Sequence, residues 1–364
     1  MGGVWGSSIK YSIFGESHGR AVGIVIDGLP AGIKLDIGFI KCEMSRRAPA
    51  RNDISSARGE IDDFEIISGY YNGVTTGAPL CAIIPNIDVH SQDYDELKNK
   101  PRPGHADYTG FVKYSGYNDY RGGGHFSGRL TSAIVFAGAI AKQILKTRGI
   151  TIGGHILKIG KVQDSCFDMV NVSCRILDEL RKKDFPVLDE DKGRDMKNVI
   201  MNAKEGLDSV GGIVEVAVLD MPAGVGNPFF DSVESMISHL LFSIPAVKGV
   251  EFGAGFDLAD MNGSKANDEF YINGGRVRTY TNNNGGILGG ITDGMPIIFR
   301  AVIKPTSSIG LMERTVDLEK KENTQIKIKG RHDPCIVPRA LPAVESAAAM
   351  AVLELLGSGT ALNK

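Results

Sequence analysis

Two histidines lie in glycine-containing loops and are the side chains in this sequence best suited to proton transfer. His18 lies in FGESHG at 14–19, and His105 lies in RPGHAD at 102–107. Imidazole exchanges protons near neutral pH, and glycine allows a ligand to approach the backbone closely. For either histidine alone, a hydrogen bond within its own turn is the simpler role. The two loops therefore mark a candidate site but do not indicate a reaction.

A glycine-rich segment, YRGGGHFSGRLT at 120–131, opens a predicted helix that runs to residue 146. Backbone N–H groups ahead of a helix, together with the positive end of its dipole, favour a phosphate or carboxylate. The segment matches neither the P-loop pattern nor a dinucleotide-binding GxGxxG turn. A hinge or close packing is the alternative use of such glycines, so the segment alone does not establish an anion site.

Several cationic side chains also lie in or beside loops bounded by glycine or proline. They are Arg46, Arg47, Arg121, Arg129, Lys304, Arg331 and Arg339. Guanidinium groups bind phosphate and carboxylate through paired hydrogen bonds, so the set as a whole favours a small ligand with several negative charges. A solvated surface is the alternative for any one of them.

Asp333, within GRHDP at 330–334, is a candidate general base, with a turn cap as its alternative role. The segment TNNNGGILGG at 281–290 is either a plain loop or a surface for a flat cofactor. The sequence contains no HExxH motif, and its five cysteines include no CxxC pair, so no metal site is expected. Without a family resemblance, these residues indicate only an enzyme that acts on a small anion.

The elements that must position these loops follow from apolar patterning. Runs bounded by glycine and proline predict strands at 23–30, 79–85, 213–222, 296–305 and 324–330. Helical spacing predicts helices at 36–47, 131–146, 172–183, 194–206, 231–244 and 341–356. We expect Gly149 and Pro245 to end two of these helices and Asp231 to cap one. Strands and helices are interleaved without a regular βαβ rhythm, which predicts an α+β fold.

Two pairs of short segments are similar to each other and occur in the same order. DGLPAGI at 27–33 is similar to LDMPAGV at 219–225, and GVTTGAPL at 73–80 is similar to GITDGMPI at 290–297. The pattern predicts two related halves packed in a single domain that spans 1–364. Chance recurrence of turn residues is the alternative, since glycine, proline and aspartate are common in turns.

The composition is that of an ordinary globular chain with no dominant charge. Its 364 residues include 41 lysines and arginines against 43 aspartates and glutamates, a net charge of −2. No global field therefore favours nucleic acid or an anionic membrane as a partner. No apolar run is long enough to span a bilayer, and cysteines without a disulfide pattern suit a reducing compartment. We expect a cytoplasmic protein in which the polar stretch at 158–200 forms a peripheral insertion.

Nine motifs, taken together in chain order, resemble those of the chorismate synthase family. They are FGESHG, TTGAPL, SQDY, RPGHADYT, DYRGGG, PAVKGVEFG, NNNGGILGG, KPTSSI and GRHDPCIVPRA. The resemblance implies an α+β sandwich of antiparallel β-sheets and helices, and a homotetramer. It also implies a lyase of the shikimate pathway that eliminates phosphate from 5-enolpyruvylshikimate 3-phosphate to give chorismate. Members of the family need reduced FMN although the reaction has no net redox change.

The same resemblance implies roles for individual residues. His18 matches a histidine near the leaving phosphate, His105 one that interacts with the reduced flavin, and Asp333 an aspartate that helps to remove the C6 proton. The implied substrate-binding residues are Arg47, Arg129 and Arg339. The implied flavin-binding residues are His125, Ser127, Ala246, Gly289, Lys304, Pro305, Thr306, Ser307, Ser308 and Arg331.

Three departures from the family pattern bear on these roles. The chain has HFSGR at 125–129 where many members have RSSAR, and APA at 48–50 where a third arginine and Pro-Gly are usual. Asp53 stands where some relatives have an arginine that contacts NADPH. We therefore expect reduced FMN to come from an external reductant.

Three alternatives to this lyase stay open. An FMN-dependent oxidoreductase acting on a small anion would oxidise flavin at each turnover, whereas the lyase would not. A non-catalytic anion-binding module would tolerate loss of His18, His105 and Asp333. An inactive member of the family is the third alternative.

Overall fold

The structure, a computed structural model, describes residues 2–48, 62–87, 98–328 and 333–357. Its frame consists of two five-stranded antiparallel sheets. In spatial order the first sheet contains β1 (Val4–Trp5), β2 (Lys10–Gly15), β3 (Ala21–Asp27), β7 (Leu80–Pro85) and β4 (Glu65–Ser68). The second contains β11 (Val247–Phe252), β16 (Ile297–Ile303), β10 (Gly212–Leu219), β8 (Thr151–Ile159) and β9 (Val162–Gln163).

Further two-stranded ladders lie outside these sheets. They are β5 (Tyr70–Tyr71) with β6 (Val74–Thr75), β12 (Phe270–Asn273) with β13 (Arg276–Thr279), β14 (Ile287–Leu288) with β15 (Ile291–Thr292), and β17 (Met312–Asp317) with β18 (Glu322–Lys327). The last pair overlaps the strand predicted at 324–330.

Eight α-helices connect the strands within the described residues. They are α1 (Ile37–Arg47), α2 (Asp107–Lys113), α3 (Thr131–Lys146), α4 (Cys174–Arg181), α5 (Glu190–Glu205), α6 (Val233–Ser243), α7 (Gly263–Ala266) and α8 (Val337–Leu355). Among them, α1, α3, α6 and α8 pack on one another in a layer between the two sheets. Helix α3 packs on β3 and on α8, and α8 packs on β8 and β10. One buried apolar cluster runs through both sheets and this helical layer. The predicted α+β sandwich of antiparallel sheets and helices is therefore confirmed.

The helix ends show where sequence patterning succeeded and where it did not. Helix α3 has the bounds predicted for it. Ser232, not the predicted Asp231, caps α6, because its hydroxyl accepts the backbone N–H three residues later at 3.1 Å. Helix α5 begins four residues earlier than predicted, after the side-chain cap of Asp189. Helix α8 also begins earlier than predicted, since Pro338 lies in its first turn, where a missing N–H costs little.

The two similar sequence segments occupy similar positions in the two sheets. Strand β3 pairs with β7 in the first sheet, and β10 pairs with β16 in the second. Each similar segment contributes one buried threonine at the same position, Thr75 in the first and Thr292 in the second. Each threonine hydroxyl donates to the carbonyl of the proline in the neighbouring Pro-Ala-Gly turn, at 2.6 Å. The same hydroxyl accepts the backbone N–H of the residue three positions after that proline, at 2.9 Å. Related halves stay a prediction, which these matched bonds support.

The connection between neighbouring strands differs between the sheets. A short turn joins β2 to β3, whereas the chain from β8 to β10 includes β9, α4 and α5. Helix α4 packs on β8, where Leu177 and Leu180 cover the sheet face that carries Ala217 and Ile298. The peripheral insertion around 158–200 stays a prediction, and Phe185, Val187, Met196 and Ile200 of this stretch belong to the main apolar cluster. Among the described helices, none has the length and apolar character needed to cross a membrane.

Candidate active site

Most of the predicted site residues line one cavity of about 810 Å³. The predicted residues in its lining are Arg47, His105, His125, Ser127, Arg129, Ala246, Lys304, Pro305, Thr306, Ser307, Ser308, Asp333 and Arg339. His18 adjoins this lining through Ser17 and Gly122, which both face the cavity. Gly289 is exposed in the β14–β15 turn and does not line the cavity. Arg331 lies outside the described residues.

The glycine-rich loop packs directly against both histidines. Gly122 and Gly123 have φ values of +59° and +84°, a region that favours glycine. A Cβ atom on Gly122 would lie 2.2 Å from Cε1 and Nδ1 of His18. One on Gly123 would lie 3.1 Å from Nε2 of His105. The two glycines thus allow two histidine loops that are distant in the sequence to meet. This contact corresponds to the close-packing role of the glycines, not to an anion site.

His18 is held in the tight turn between β2 and β3. Gly19 N donates to Glu16 O at 3.0 Å, and Ser17 N donates to the carbonyl of Gly124 at 3.1 Å. The amide of Asn86 donates to both Glu16 O and Gly19 O at 2.9 Å. A backbone bond to the glycine-rich loop and the side chain of Asn86 at the end of β7 therefore fix the turn that carries His18.

His105 is part of a closed charged cluster. Its Nδ1 lies 2.6 Å from Oδ1 of Asp107, and Arg102 donates to both oxygens of the same carboxylate at 2.7 and 2.8 Å. Arg102 also donates to Ser308 Oγ at 3.0 Å. Burial raises the pKa of Asp107, but the hydrogen bonds from Arg102 and His105 outweigh it and hold that pKa well below its usual range. The cluster fixes the His105 ring at the cavity.

The KPTSS loop docks on the loop that carries His105. Lys304 Nζ and Ser307 Oγ both donate to the carbonyl of Gly104, the latter at 2.8 Å, and Lys304 also contacts Ser307 Oγ at 2.8 Å. Burial lowers the pKa of Lys304, and the nearby charge of Lys248 lowers it further. A second cation close by leaves a positive potential that an anion would neutralise.

Two features of this side suit a bound phosphate and a closely fitting ring. Thr306 Oγ1 is buried, and it has no hydrogen-bond partner among the described residues. Ala246 has a φ of +75°, an uncommon conformation for a residue with a Cβ, and its carbonyl accepts Lys304 N at 2.9 Å. Strained backbone of this kind clusters at ligand sites.

The two arginines on the opposite side share one buried carboxylate. Arg47 donates to Asp62 through Nε at 2.5 Å and Nη2 at 2.7 Å. Arg129 Nη1 donates to the same carboxylate, and its Nε donates to Asn86 Oδ1 at 2.9 Å. Burial raises the pKa of Asp62, but the two guanidinium groups outweigh it and lower that pKa overall. Arg47 and Arg129 are thereby held side by side, and their two positive charges exceed the single negative charge of Asp62 by one.

Arg339 and Asp333 form a separate ion pair at the start of α8. Arg339 Nε also donates to the backbone carbonyl of Arg47 at 3.1 Å. The end of α1 and the start of α8 therefore meet at the cavity, with Asp333 exposed to it.

His125 and Ser127 have local partners as well as a place in the lining. The His125 ring lies 4.2 Å from the Phe126 ring and 5.2 Å from the Tyr114 ring, measured between centroids. Ser127 Oγ accepts Arg129 N at 3.3 Å and so caps the turn that precedes α3. The roles of His125 and Ser127 toward a flavin stay predictions.

Sequence reasoning missed Asp62, Arg102, Asp107 and Asn86. Arg102 and Asp107 flank His105 within RPGHAD, so their proximity in the sequence was an available signal. Asp62 and Asn86 have no such signal, because their partners lie far away in the chain. No group of histidine, cysteine, aspartate and glutamate in the described residues has the arrangement of a metal site.

Sequence comparisons connect the chain to one family throughout its length. A family model described as chorismate synthase matches residues 9–356. A chorismate synthase of Thermococcus gammatolerans is 47% identical over 357 residues, which cover 96% of each chain. One from Pyrococcus abyssi is 48% identical over 352 residues, again 96% of each chain. One from Dehalococcoides mccartyi is 45% identical over 350 residues, which cover 96% of this chain and 95% of that relative.

A structural comparison gives the same result. A solved structure described as the crystal structure of chorismate synthase superposes with a TM-score of 0.76 and 28% sequence identity. The match covers 97% of this chain and 92% of that one. The chain therefore belongs to the chorismate synthase family.

Proposed function

We propose that this chain is a lyase that catalyses the 1,4-anti elimination of phosphate from 5-enolpyruvylshikimate 3-phosphate, giving chorismate with reduced FMN as cofactor. This reaction is the final common step of the shikimate pathway to the aromatic amino acids. The observation that carries the proposal is the convergence, on one cavity, of the histidine loops, the paired arginines and the KPTSS loop. Membership of the family supports the same reaction.

The charge of the cavity suits the substrate, which carries one phosphate and two carboxylates. Cationic side chains outnumber carboxylates around it, even when Asp62 and Asp107 are counted with the lining residue Asp333. Arg47, Arg129 and Arg339 would bind the substrate in the proposed arrangement. Because Arg47 and Arg129 are buried and paired, they offer fixed rather than mobile donors.

The opposite side of the cavity suits the phosphate of FMN. Lys304, Ser307, Ser308 and the buried hydroxyl of Thr306 form a set of donors around a local excess of positive charge. His125, Ser127 and Ala246 would line the rest of the flavin site. A bound reduced flavin would supply the electron chemistry for cleavage of the C–O bond with no net redox change, while these residues would position it.

The two histidines and Asp333 are proposed to transfer protons or to control protonation in the site. His18, packed on Gly122, would protonate or neutralise the departing phosphate. His105 would set the protonation state of the reduced flavin through its exposed edge. Asp333 would assist removal of the substrate's C6 proton, and its ion pair with Arg339 holds it at the cavity.

An anaerobic assay with chemically reduced FMN and 5-enolpyruvylshikimate 3-phosphate tests this function. We expect chorismate absorbance to appear together with an equal amount of free phosphate, while the flavin ends the reaction still reduced. Absence of product with reduced flavin would contradict the lyase. Oxidation of one flavin per product would instead support an FMN-dependent oxidoreductase.

We further propose a cytoplasmic homotetramer supplied with reduced FMN by an external reductant. All five cysteines are free thiols, which suits a reducing compartment. Asp53, on which the expectation about NADPH rests, lies outside the described residues. Repeating the assay with oxidised FMN and NADPH should give no chorismate, and light scattering should give four times the 39.0 kDa chain mass.

A further inference from the structure

Asp107 links the His105 ring to the guanidinium group of Arg102. The carboxylate is largely buried, with 9% of its side chain exposed, whereas His105 is 20% exposed. Of its two oxygens, Oδ1 contacts His105 Nδ1 at 2.6 Å and Arg102 Nη2 at 2.8 Å, while Oδ2 accepts Arg102 Nε at 2.7 Å. Arg102 therefore fixes the plane of the carboxylate that faces the histidine.

This contact decides which ring nitrogen of His105 carries the proton in the neutral state. An ionised carboxylate can only accept, so the nitrogen 2.6 Å away must be the donor, Nδ1–H. Arg102 Nη2 lies 3.1 and 3.3 Å from the two ring nitrogens, and these near-equal distances place it against the ring rather than at one nitrogen. The remaining nitrogen, Nε2, is then the basic one.

The opposite edge of the ring faces the glycine-rich loop at the cavity. A Cβ on Gly123 would lie 3.0 Å from Cε1 and 3.1 Å from Nε2 of His105, so the ring packs closely on this buried glycine. His105 and Gly122, the neighbour of Gly123, both line the cavity. The Nδ1 edge is thus tied to Asp107, and the Nε2 edge lies on Gly123 beside the cavity that the ring lines.

We propose that Asp107 is a positioning residue, which holds His105 as the Nδ1–H tautomer so that Nε2 is the atom that exchanges a proton in the cavity. The proposal rests on the proposed role of His105 toward the reduced flavin. Arg102 completes the arrangement by orienting Asp107 through both carboxylate oxygens.

A purely structural role for Asp107 is the competing account. Asp107 is the first residue of α2, where a carboxylate favours the helix dipole, and it also accepts Arg102 N at 3.0 Å. That role would affect folding and loop order whether or not His105 is present. The test must therefore ask whether the effect of Asp107 passes through His105.

A double-mutant cycle on the full-length protein separates the two accounts. Asp107→Ala should lower kcat by roughly 10- to 1,000-fold, no more than His105→Ala does, and should leave KM for the substrate within about twofold. In the His105→Ala background, Asp107→Ala should change kcat by less than about twofold. Asp107→Asn should not recover the loss, because its oxygen would replace Oδ2, which accepts Arg102 N and Nε, and its NH2 would donate to His105 Nδ1 and favour the Nε2–H tautomer. Equal losses in both backgrounds would overturn the proposal.

The tautomer itself is a readout that needs no activity. Solid-state ¹⁵N spectra of histidine-labelled protein, with the His105 signals assigned by their loss in His105→Ala, should show Nδ1–H in the wild type and a mixture with Nε2–H in Asp107→Ala. If Asp107→Ala does not fold, Asp107→Asn serves both measurements. A wild-type Nε2–H tautomer would overturn the proposal even if chorismate forms. An inactive wild type with the Nδ1–H tautomer would instead count against the proposed function alone.

Discussion

The arginine side of the cavity and its lysine side hold positive charge in different ways. On the arginine side, Arg47 and Arg129 are buried against the carboxylate of Asp62. On the lysine side, Lys304 contacts a carbonyl and a hydroxyl, and its neighbour Lys248 adds a like charge. A cation paired with a buried carboxylate has a fixed position and a reduced field. A cation beside neutral dipoles and a second cation keeps its attraction for an anion.

The difference suggests different tasks for the two sides. Fixed guanidinium groups orient a substrate whose reacting bond must be aligned. An unneutralised lysine with nearby hydroxyl donors attracts and retains a phosphate group. We therefore associate the arginine side with 5-enolpyruvylshikimate 3-phosphate and the lysine side with FMN.

The largest expected effect comes from removing the shared carboxylate. Asp62→Ala leaves two buried guanidinium groups without their counterion, so we expect the free energy of unfolding to fall by about 3–5 kcal/mol. Chemical denaturation measures this change. The matched control is Asp63→Ala, since Asp63 is exposed and its ion pair with Lys41 spans 3.8 Å.

That control should change the unfolding free energy by less than about 1 kcal/mol. If Asp62→Ala proved as stable as Asp63→Ala, the arginines would not be held by a buried counterion, and the contrast between the two sides would disappear.

A smaller effect is expected from pH on the affinity for FMN. The pKa of Lys304 is lowered from 10.5, so as pH rises this lysine loses its charge earlier than an ordinary lysine, while the arginines stay charged. Protonated Lys304 favours phosphate, and FMN affinity should therefore be highest below that lowered pKa and fall as pH rises through it. Fluorescence titration of FMN in the absence of substrate measures the change.

Two variants sharpen this pH test. Lys304→Met should weaken FMN binding by roughly tenfold at neutral pH, the loss of one charge-assisted contact, and should remove most of the pH dependence. Lys248→Met removes the like charge and should move the fall in affinity to higher pH. An unchanged pH profile in Lys304→Met would show that Lys304 does not bind the flavin phosphate.

The smallest effect expected is from salt. Raising ionic strength from about 0.1 M to about 1 M should weaken FMN binding by roughly threefold, because salt screens a partly exposed lysine. The stability difference between the wild type and Asp62→Ala should change little, because buried pairs are screened much less. Titrations and denaturation curves at both salt concentrations check the two halves of this prediction.

Local patterns predicted the parts of this fold that local residues determine. Helix α3 has the predicted bounds because its apolar period is uninterrupted from Thr131 to Lys146. Helix α8 begins earlier than expected. Pro338 interrupts the helical pattern in the sequence, but a proline in the first turn of a helix does not disrupt the helix. The glycine-rich segment at 120–131 is visible in the sequence, where an anion site, a hinge and close packing all stay open. The histidines that pack on Gly122 and Gly123 lie in other loops, so only the fold shows the close packing.

Site residues that lie within the family motifs could be predicted from the sequence, whereas residues brought to the site only by tertiary contacts could not. His105 and Lys304, which lie in those motifs, line the cavity, and their implied roles toward a flavin stay predictions. Asp62 was missed, since a single aspartate acquires its role only when α1 and the turn before α3 bring two arginines to it. Gly289 lies outside the cavity, in a hairpin turn whose position depends on packing rather than on its own sequence.

The most direct test of the assignment of the two sides is a crossed binding measurement on two variants. FMN affinity is measured without substrate, and affinity for 5-enolpyruvylshikimate 3-phosphate with FMN saturating, in Arg129→Gln and in Lys304→Met. We predict that Arg129→Gln weakens only substrate binding and Lys304→Met weakens only FMN binding, each by roughly tenfold or more. Equal weakening of both ligands by both variants would contradict the separation of the two sides.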